Sequence, residues 1–162
     1  MSDPSPEGPG LAKGPGRFAL VRAVFYEELA ARLTEGAMRA LEESGVEAEQ
    51  VDLYDVPGAF ELPLAAKACA ESGRYAGVVC LGVVIRGETD HYEYVCSETV
   101  RGCGEVALAT GVPVAFGVLT CETLAQARDR SGAGPKNKGR EAARAAVETA
   151  SLLLALRAEG GA

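Results

Sequence analysis

A single histidine, His91, and no tryptophan occur in 162 residues, and that scarcity already narrows the chemistry. A metal site built from two or three imidazoles is excluded within one chain. The five cysteines, Cys69, Cys80, Cys96, Cys103 and Cys121, form no C-x-x-C pair and no zinc-like spacing. An odd number of them on apolar segments reads as small, reduced core residues of a cytoplasmic protein. Cys121 alone stays a candidate nucleophile, because it follows a predicted strand end. No apolar run approaches the roughly 18–20 residues that span a bilayer. The start, Met1-Ser2-Asp3-Pro4-Ser5-Pro6, lacks the basic and apolar regions of a secretory signal. Basic charge is also in short supply: 16 Lys+Arg stand against 23 Asp+Glu, a formal −7. Such a balance repels phosphate backbones, so neither a nucleic acid nor a membrane is expected as a partner.

What is present is enough for one domain of ordinary size. Residues 1–16 are rich in Pro and Gly and read as a flexible tail, residues 17–157 as the domain, and residues 158–162 as a second tail. Within the domain a short apolar run, Phe18-Ala19-Leu20-Val21, precedes an amphipathic stretch over 26–44. There Leu29, Leu33, Ala37 and Leu41 recur every fourth position and Gly45 sits where a helix C-cap belongs. A strand is predicted over 49–56, then a Pro57-Gly58 break and a helix over 62–72 stopped by Gly73. The run 76–85 is almost wholly apolar, as expected of a central parallel strand covered on both faces. A loop over 86–90 leads to a helix over 91–110. A strand over 112–119, a short helix over 122–130, a Gly/Lys-rich turn over 132–139 and a last helix to Arg157 follow. Ala143, Val147, Ala150 and Leu154 give that helix a narrow face for close packing.

This alternation predicts an α/β fold with a parallel sheet covered by helices on both faces. Right-handed crossovers gather the strands' C-terminal ends on one edge, where open α/β sheets bind ligands. Val24-Phe25, Pro57-Gly58-Ala59-Phe60-Glu61, the loop 86–91 and Leu119-Thr120-Cys121 all fall on that edge.

Thr89 or Asp90 can cap the helix beginning near His91, and Glu93 completes a capping-box pattern with Asp90. The same helix start offers backbone N–H groups to an anion, and Gly87 allows close approach. A metal site from Glu88, Asp90, His91 and Glu93 is a competing reading. His91 is suited to proton transfer, since only imidazole ordinarily titrates near neutrality. Phe25 and Phe60 are either core or rings that stack on a planar ligand. Glu61 either bonds a polyol or amide, or complements a helix dipole. Arg128 to Arg140 forms the one basic patch, a solvated helix end or a phosphate clamp. It lacks the strand-to-helix context of a P-loop, and Gly102-Cys103-Gly104 lies inside a predicted helix, so neither is a nucleotide motif.

Pro57-Gly58-Ala59-Phe60-Glu61-Leu62-Pro63, then Leu81-Gly82-Val83-Val84-Ile85-Arg86-Gly87-Glu88-Thr89-Asp90-His91-Tyr92, then Gly111-Val112-Pro113-Val114-Ala115-Phe116-Gly117-Val118-Leu119-Thr120, and Asn137-Lys138-Gly139 resemble the 6,7-dimethyl-8-ribityllumazine synthase family. The resemblance runs from about Arg17 to Leu156. It implies a flavodoxin-like three-layer α/β/α sandwich with a four-stranded parallel sheet.

The implied reaction condenses 5-amino-6-(D-ribitylamino)uracil with 3,4-dihydroxy-2-butanone 4-phosphate, without metal or organic cofactor. By resemblance, Phe25 and a neighbouring subunit's Phe116 bracket the pyrimidinedione, and Ala59 and Glu61 hold the ribityl chain. Val83, Val84 and Ile85 line the ring pocket. Gly87, Glu88 and Thr89 present backbone groups to the phosphate, which the neighbour's Arg130 neutralises, with Lys138 and Glu141 close by. His91 shuttles protons. A site of this kind needs a homo-oligomer, and the family forms pentamers, decamers or sixty-subunit cages. Val24 departs from the arginine common before the stacking phenylalanine.

Overall fold

The apolar run forms strand β3, Gly77–Ile85, buried through its first seven positions, and its neighbours on both sides explain why. In the computed structural model, which describes residues 14–160, β3 lies between β1 (Phe18–Ala23) and β4 (Val114–Cys121), and β2 (Val51–Val56) pairs with the far side of β1. The four strands are parallel in the order β2-β1-β3-β4. Helix α1 (Glu27–Glu43) packs with α5 (Lys138–Gly160) on one face, and α2 (Leu62–Glu71) with α3 (His91–Thr110) on the other. α4 (Leu124–Arg130) follows β4. Each face has its own core. Phe18, Leu20, Leu33, Leu41, Leu81 and Ala143 fill one, and Val21, Leu62, Val78, Cys80 and Cys103 the other. This is the three-layer α/β/α sandwich that the alternation of elements predicts.

Local chemistry decides the boundaries. α1 ends in a Schellman motif: the Val46 N–H reaches the Leu41 carbonyl (2.9 Å) and the Gly45 N–H that of Glu42 (3.0 Å), with Gly45 at φ +86°. The strand expected from residue 49 starts at Val51, because Ala48–Gln50 is a 3₁₀ turn closed by the Glu47 N–H on Gln50 Oε1 (3.0 Å). β4 begins after Pro113, which has no N–H to donate, and runs on to Cys121. The helix expected from residue 122 starts at Leu124, because the Gln126 N–H bonds Thr123 Oγ1 (3.2 Å) and the Glu122 N–H bonds Gln126 Oε1 (2.8 Å). α5 continues past the expected end at Arg157 to Gly160. Ala143, Val147 and Ala150 are buried on it, whereas Leu154 is exposed. The tail expected over 1–16 falls outside the described residues up to position 13, as does the end of the tail over 158–162. Gly16, by contrast, is tied to the domain by the Gln50 amide on its carbonyl (3.4 Å).

At the β2 edge a carboxylate holds the sheet to its flank. Asp52 accepts from the Tyr75 hydroxyl (2.6 Å) and from Arg17 (2.9 Å), and these bonds, Tyr75 first, hold its carboxyl below the usual value. A lowered folded-state pKa contributes stability that is present above the unfolded value and lost as pH falls through the folded one. Asp52→Asn is therefore expected to lower Tm at pH 6–7, with the difference from wild type shrinking as pH falls below about 4. Thermal melts across that range check it; a Tm difference independent of pH would remove the ionic contribution.

Candidate functional site

In a doubly wound sheet with this strand order, the crossovers leave β1 in opposite senses, and the crevice opens where β1 and β3 end side by side. The ends of these two strands and of β2 converge there on a cleft of about 620 Å³. β1 contributes its continuation. Val24 N–H still bonds Val56 (3.0 Å), after which Phe25 turns outward and is 75% exposed, its ring edge-on to Tyr26 at 5.1 Å. A phenylalanine this exposed is not core, and one face of its ring is available for stacking.

After β2 the chain makes a 3₁₀ turn, Ala59–Glu61. Ala59 is buried and its carbonyl accepts from Thr99 on α3 (3.2 Å), which anchors the turn. Phe60 is 59% exposed. Glu61 closes the turn by accepting the Gly58 N–H (3.0 Å), and its carboxylate stays at the rim with lone pairs to spare. The helix-dipole role and a ligand role are thus compatible.

β3 supplies the wall through Val83, Val84 and Ile85. In the following loop Gly87 and Thr89 line the cleft, whereas Glu88 and Asp90 do not. That division matters for an anion, since the two carboxylates beside the backbone donors lie outside the lining. Nothing stands within 4 Å of where a Gly87 side chain would begin, leaving the main chain open to a ligand.

His91 is the first residue of α3 and is exposed at the cleft. The expected capping box does not form. The Asp90 side chain makes no cap bond, the His91 N–H reaches Thr89 Oγ1 at 3.4 Å, and Glu93 is drawn to Arg86 (3.4 Å). Nor do Glu88, Asp90, His91 and Glu93 form a metal-holding group: among the described residues no cluster of three or more His, Cys, Asp or Glu is so arranged. Tyr26, Gly58, Tyr92, Tyr94 and Val95 complete the lining. Gly58 lies on the predicted ligand edge; sequence reasoning missed the other four, although Tyr94 and Val95, three and four residues beyond His91, follow from helical periodicity.

The remaining candidates gather elsewhere. Phe116, Thr120, Cys121, Glu122, Arg130, Lys138 and Glu141 line a second cleft of about 660 Å³ along the free edge of β4, which shares no lining residue with the first. Phe116 sits in the first half of β4, opposite Cys80, too far back along the strand to reach the ligand edge. Lys138 pairs with Glu141 (3.2 Å) and Lys136 with Asp129 (3.6 Å). Among the described residues Arg130 makes only a bond to the Gln126 carbonyl (3.4 Å), so of these cations it alone has no carboxylate partner there. Cys121 is 4% exposed, and burial pushes its thiol up, away from the thiolate a nucleophile needs. The candidate nucleophile is a core residue.

Thus a stacking ring, a carboxylate rim, an open glycine loop and a helix-terminal imidazole share one cleft, and an uncommitted arginine lies in another. The family model for 6,7-dimethyl-8-ribityllumazine synthase matches residues 15–154. A protein of Syntrophus aciditrophicus (strain SB) named 6,7-dimethyl-8-ribityllumazine synthase is 48% identical over 147 residues, 91% of this chain and 95% of its own length. With a family match and a relative that both span the strand ends and the two clefts, the chain belongs to the 6,7-dimethyl-8-ribityllumazine synthase family.

Proposed function

We propose that the cleft of Phe25 and His91 is where this chain carries out its family's reaction. That reaction joins the amine of 5-amino-6-(D-ribitylamino)uracil to the ketone of 3,4-dihydroxy-2-butanone 4-phosphate and expels water and phosphate, giving the lumazine precursor of riboflavin. The observation that carries the reading is the convergence of Phe25, Glu61, Gly87, Thr89 and His91 on one cleft from three separate chain segments.

Both reactants already bring their reactive groups, so the protein must mainly hold them together. Positioning of this kind supplies on the order of 7–11 kcal/mol. The pyrimidinedione lies against Phe25 with Val83, Val84 and Ile85 as its wall, and Glu61 accepts from ribityl hydroxyls. The phosphate meets the backbone at Gly87 to Thr89. From the start of α3, His91 passes protons while the imine forms and the phosphate leaves.

The site is completed by a second subunit, whose Phe116 closes the other face of the ring and whose Arg130 meets the phosphate. Two observations support this. The clefts of one chain share no residue, and large apolar side chains stand in solvent, Leu64 on α2 and Leu108 on α3 among them. A pentamer, alone or as the unit of a larger cage, is the assembly proposed. The unpaired cysteines support a reducing, cytoplasmic setting.

The test mixes purified protein with both substrates, follows lumazine absorbance and identifies the product. His91→Ala and Arg130→Ala are then made separately and co-assembled after unfolding and refolding together. Turnover by the wild type, and partial recovery in the mixed assembly over either variant alone, are expected. No turnover above the spontaneous reaction overturns the assignment; turnover without recovery overturns the shared site.

A further inference from the structure

Arg86 lines neither cleft, yet it touches the walls of both. Its backbone N–H donates to the Cys121 carbonyl (2.9 Å), adding a rung to the β3–β4 ladder. Its guanidinium lies 4.4 Å from the centre of the Tyr92 ring. Nε donates to Glu122 (3.0 Å), and Nη1 reaches Glu93 (3.4 Å). Tyr92 and Glu93 belong to the first turn of α3, immediately after His91, and Glu122 precedes α4, which carries Arg130 at its end. One side chain thus ties β3, α3 and the β4–α4 junction together.

The first turn of α3 needs such a tie. No side-chain cap from Asp90 holds it, and the Thr89 bond to the His91 N–H is long. His91 itself is exposed; among the described residues, the side chains of its turn that Arg86 holds are Tyr92 and Glu93. A simple surface ion pair would contribute little. The planar guanidinium, however, stacks and forks at once, which an ammonium cannot do. With two carboxylates already facing it, Arg86 is not free to bind the substrate phosphate.

We infer that Arg86 is a positioning residue, which acts on the reaction through His91 by fixing the first turn of α3. The inference rests on the reading of the Phe25–His91 cleft as the active site.

The experiment is a double-mutant cycle on the assembled enzyme, with kcat and both KM values measured for wild type, Arg86→Met, His91→Ala and the double variant. Arg86→Met is expected to lower kcat about tenfold, with both KM values within about twofold, because the imidazole is displaced and the binding groups are not. In the His91→Ala background the same change is expected to alter kcat by less than about twofold, since the group it positions is gone. Arg86→Lys keeps the charge without the fork, and a loss between about threefold and tenfold is expected; it runs the same cycle if Arg86→Met does not fold. An equal loss in both backgrounds overturns the link to His91, as does an unchanged kcat in Arg86→Met. A rise confined to KM for the phosphate substrate overturns it too, by making Arg86 a phosphate ligand. If His91→Ala itself leaves kcat unchanged, the active-site reading falls, and the Arg86 inference with it; the other outcomes leave that reading standing.

Discussion

His91→Ala is expected to lower kcat by roughly 10²-fold or more, within the 10²–10⁴ that a positioned acid–base group supplies, while substrate affinities change only a few-fold. The physical reason lies in the division of labour around the cleft. Phe25, the Val83–Ile85 wall and the Gly87–Thr89 backbone do not depend on the imidazole, so binding and positioning survive its loss. No other group in the lining is suited to replace it. Glu61 is engaged at the rim by the Gly58 N–H (3.0 Å) and, in this reading, by the ribityl hydroxyls, and a phenol hydroxyl exchanges protons poorly near neutrality. The variant therefore keeps a rate above the spontaneous reaction, from positioning alone. Equilibrium binding of the ribityl substrate and steady-state kinetics, measured on the same assembled protein, check both halves. An unchanged kcat removes the proton-transfer role; an affinity lost together with the rate makes His91 a binding residue instead.

The largest loss of stability is expected from Asn137→Ala. Asn137 is 2% exposed and spends its whole amide on backbone. Its Nδ2 donates to the carbonyls of Arg32 (3.1 Å), Ser131 (3.2 Å) and Gly132 (2.9 Å), and its Oδ1 accepts the Arg140 N–H (3.0 Å) at the start of α5. Truncation strands these groups in a place water enters poorly, at about 1–3 kcal/mol for each buried group left unmade. A total of about 3–5 kcal/mol is expected, since part of the set can relax toward solvent. Neighbouring backbones allow little rearrangement: a Cβ on Gly139 would stand 2.1 Å from the Leu33 carbonyl oxygen, and one on Gly36 would stand 2.1 Å from Asn137 Oδ1. Asn137→Asp is expected to cost at least as much, because an acceptor then faces three carbonyls. Denaturant unfolding of both variants measures this, and a loss below about 1 kcal/mol for alanine shows that the bonds are not the anchor.

The contrast between these two residues shows how far the sequence could be read. His91 was legible because its position follows from a strand of apolar residues, a short polar loop and a helix, all local features. Phe25, Ala59 and the Val83–Ile85 wall were legible on the same ground, as the ends of strands whose parallel order puts them on one edge. Asn137 entered only as part of a motif; its bond to the Arg140 N–H is a local helix cap three residues long, but its partner carbonyl at Arg32 lies on α1, and no local pattern announces that meeting. The capping box read from Asp90 and Glu93 failed for a related reason. Glu93 had a stronger partner in Arg86, seven residues away in sequence, and an ionised pair outcompetes a backbone N–H that water can satisfy. The candidate thiol at Cys121 failed because a position at a strand end does not show whether the side chain turns into the core, where Cys121 packs in the cluster of Leu33 and Leu81.

What the sequence alone determined is the order and kind of the elements, the buried central strand and the ligand edge. Each of these depends on hydrophobic period, turn residues and handedness, which act over a few positions at a time. Tertiary structure alone decided the rest. It separated Phe116 and Arg130 from Phe25 and His91 into two clefts, tied both to Arg86, and buried Asn137 between α1 and α5. Those facts depend on which side chains meet after the chain has crossed from one face of the sheet to the other. Such meetings are set by packing between residues distant in sequence, which local periodicity cannot encode.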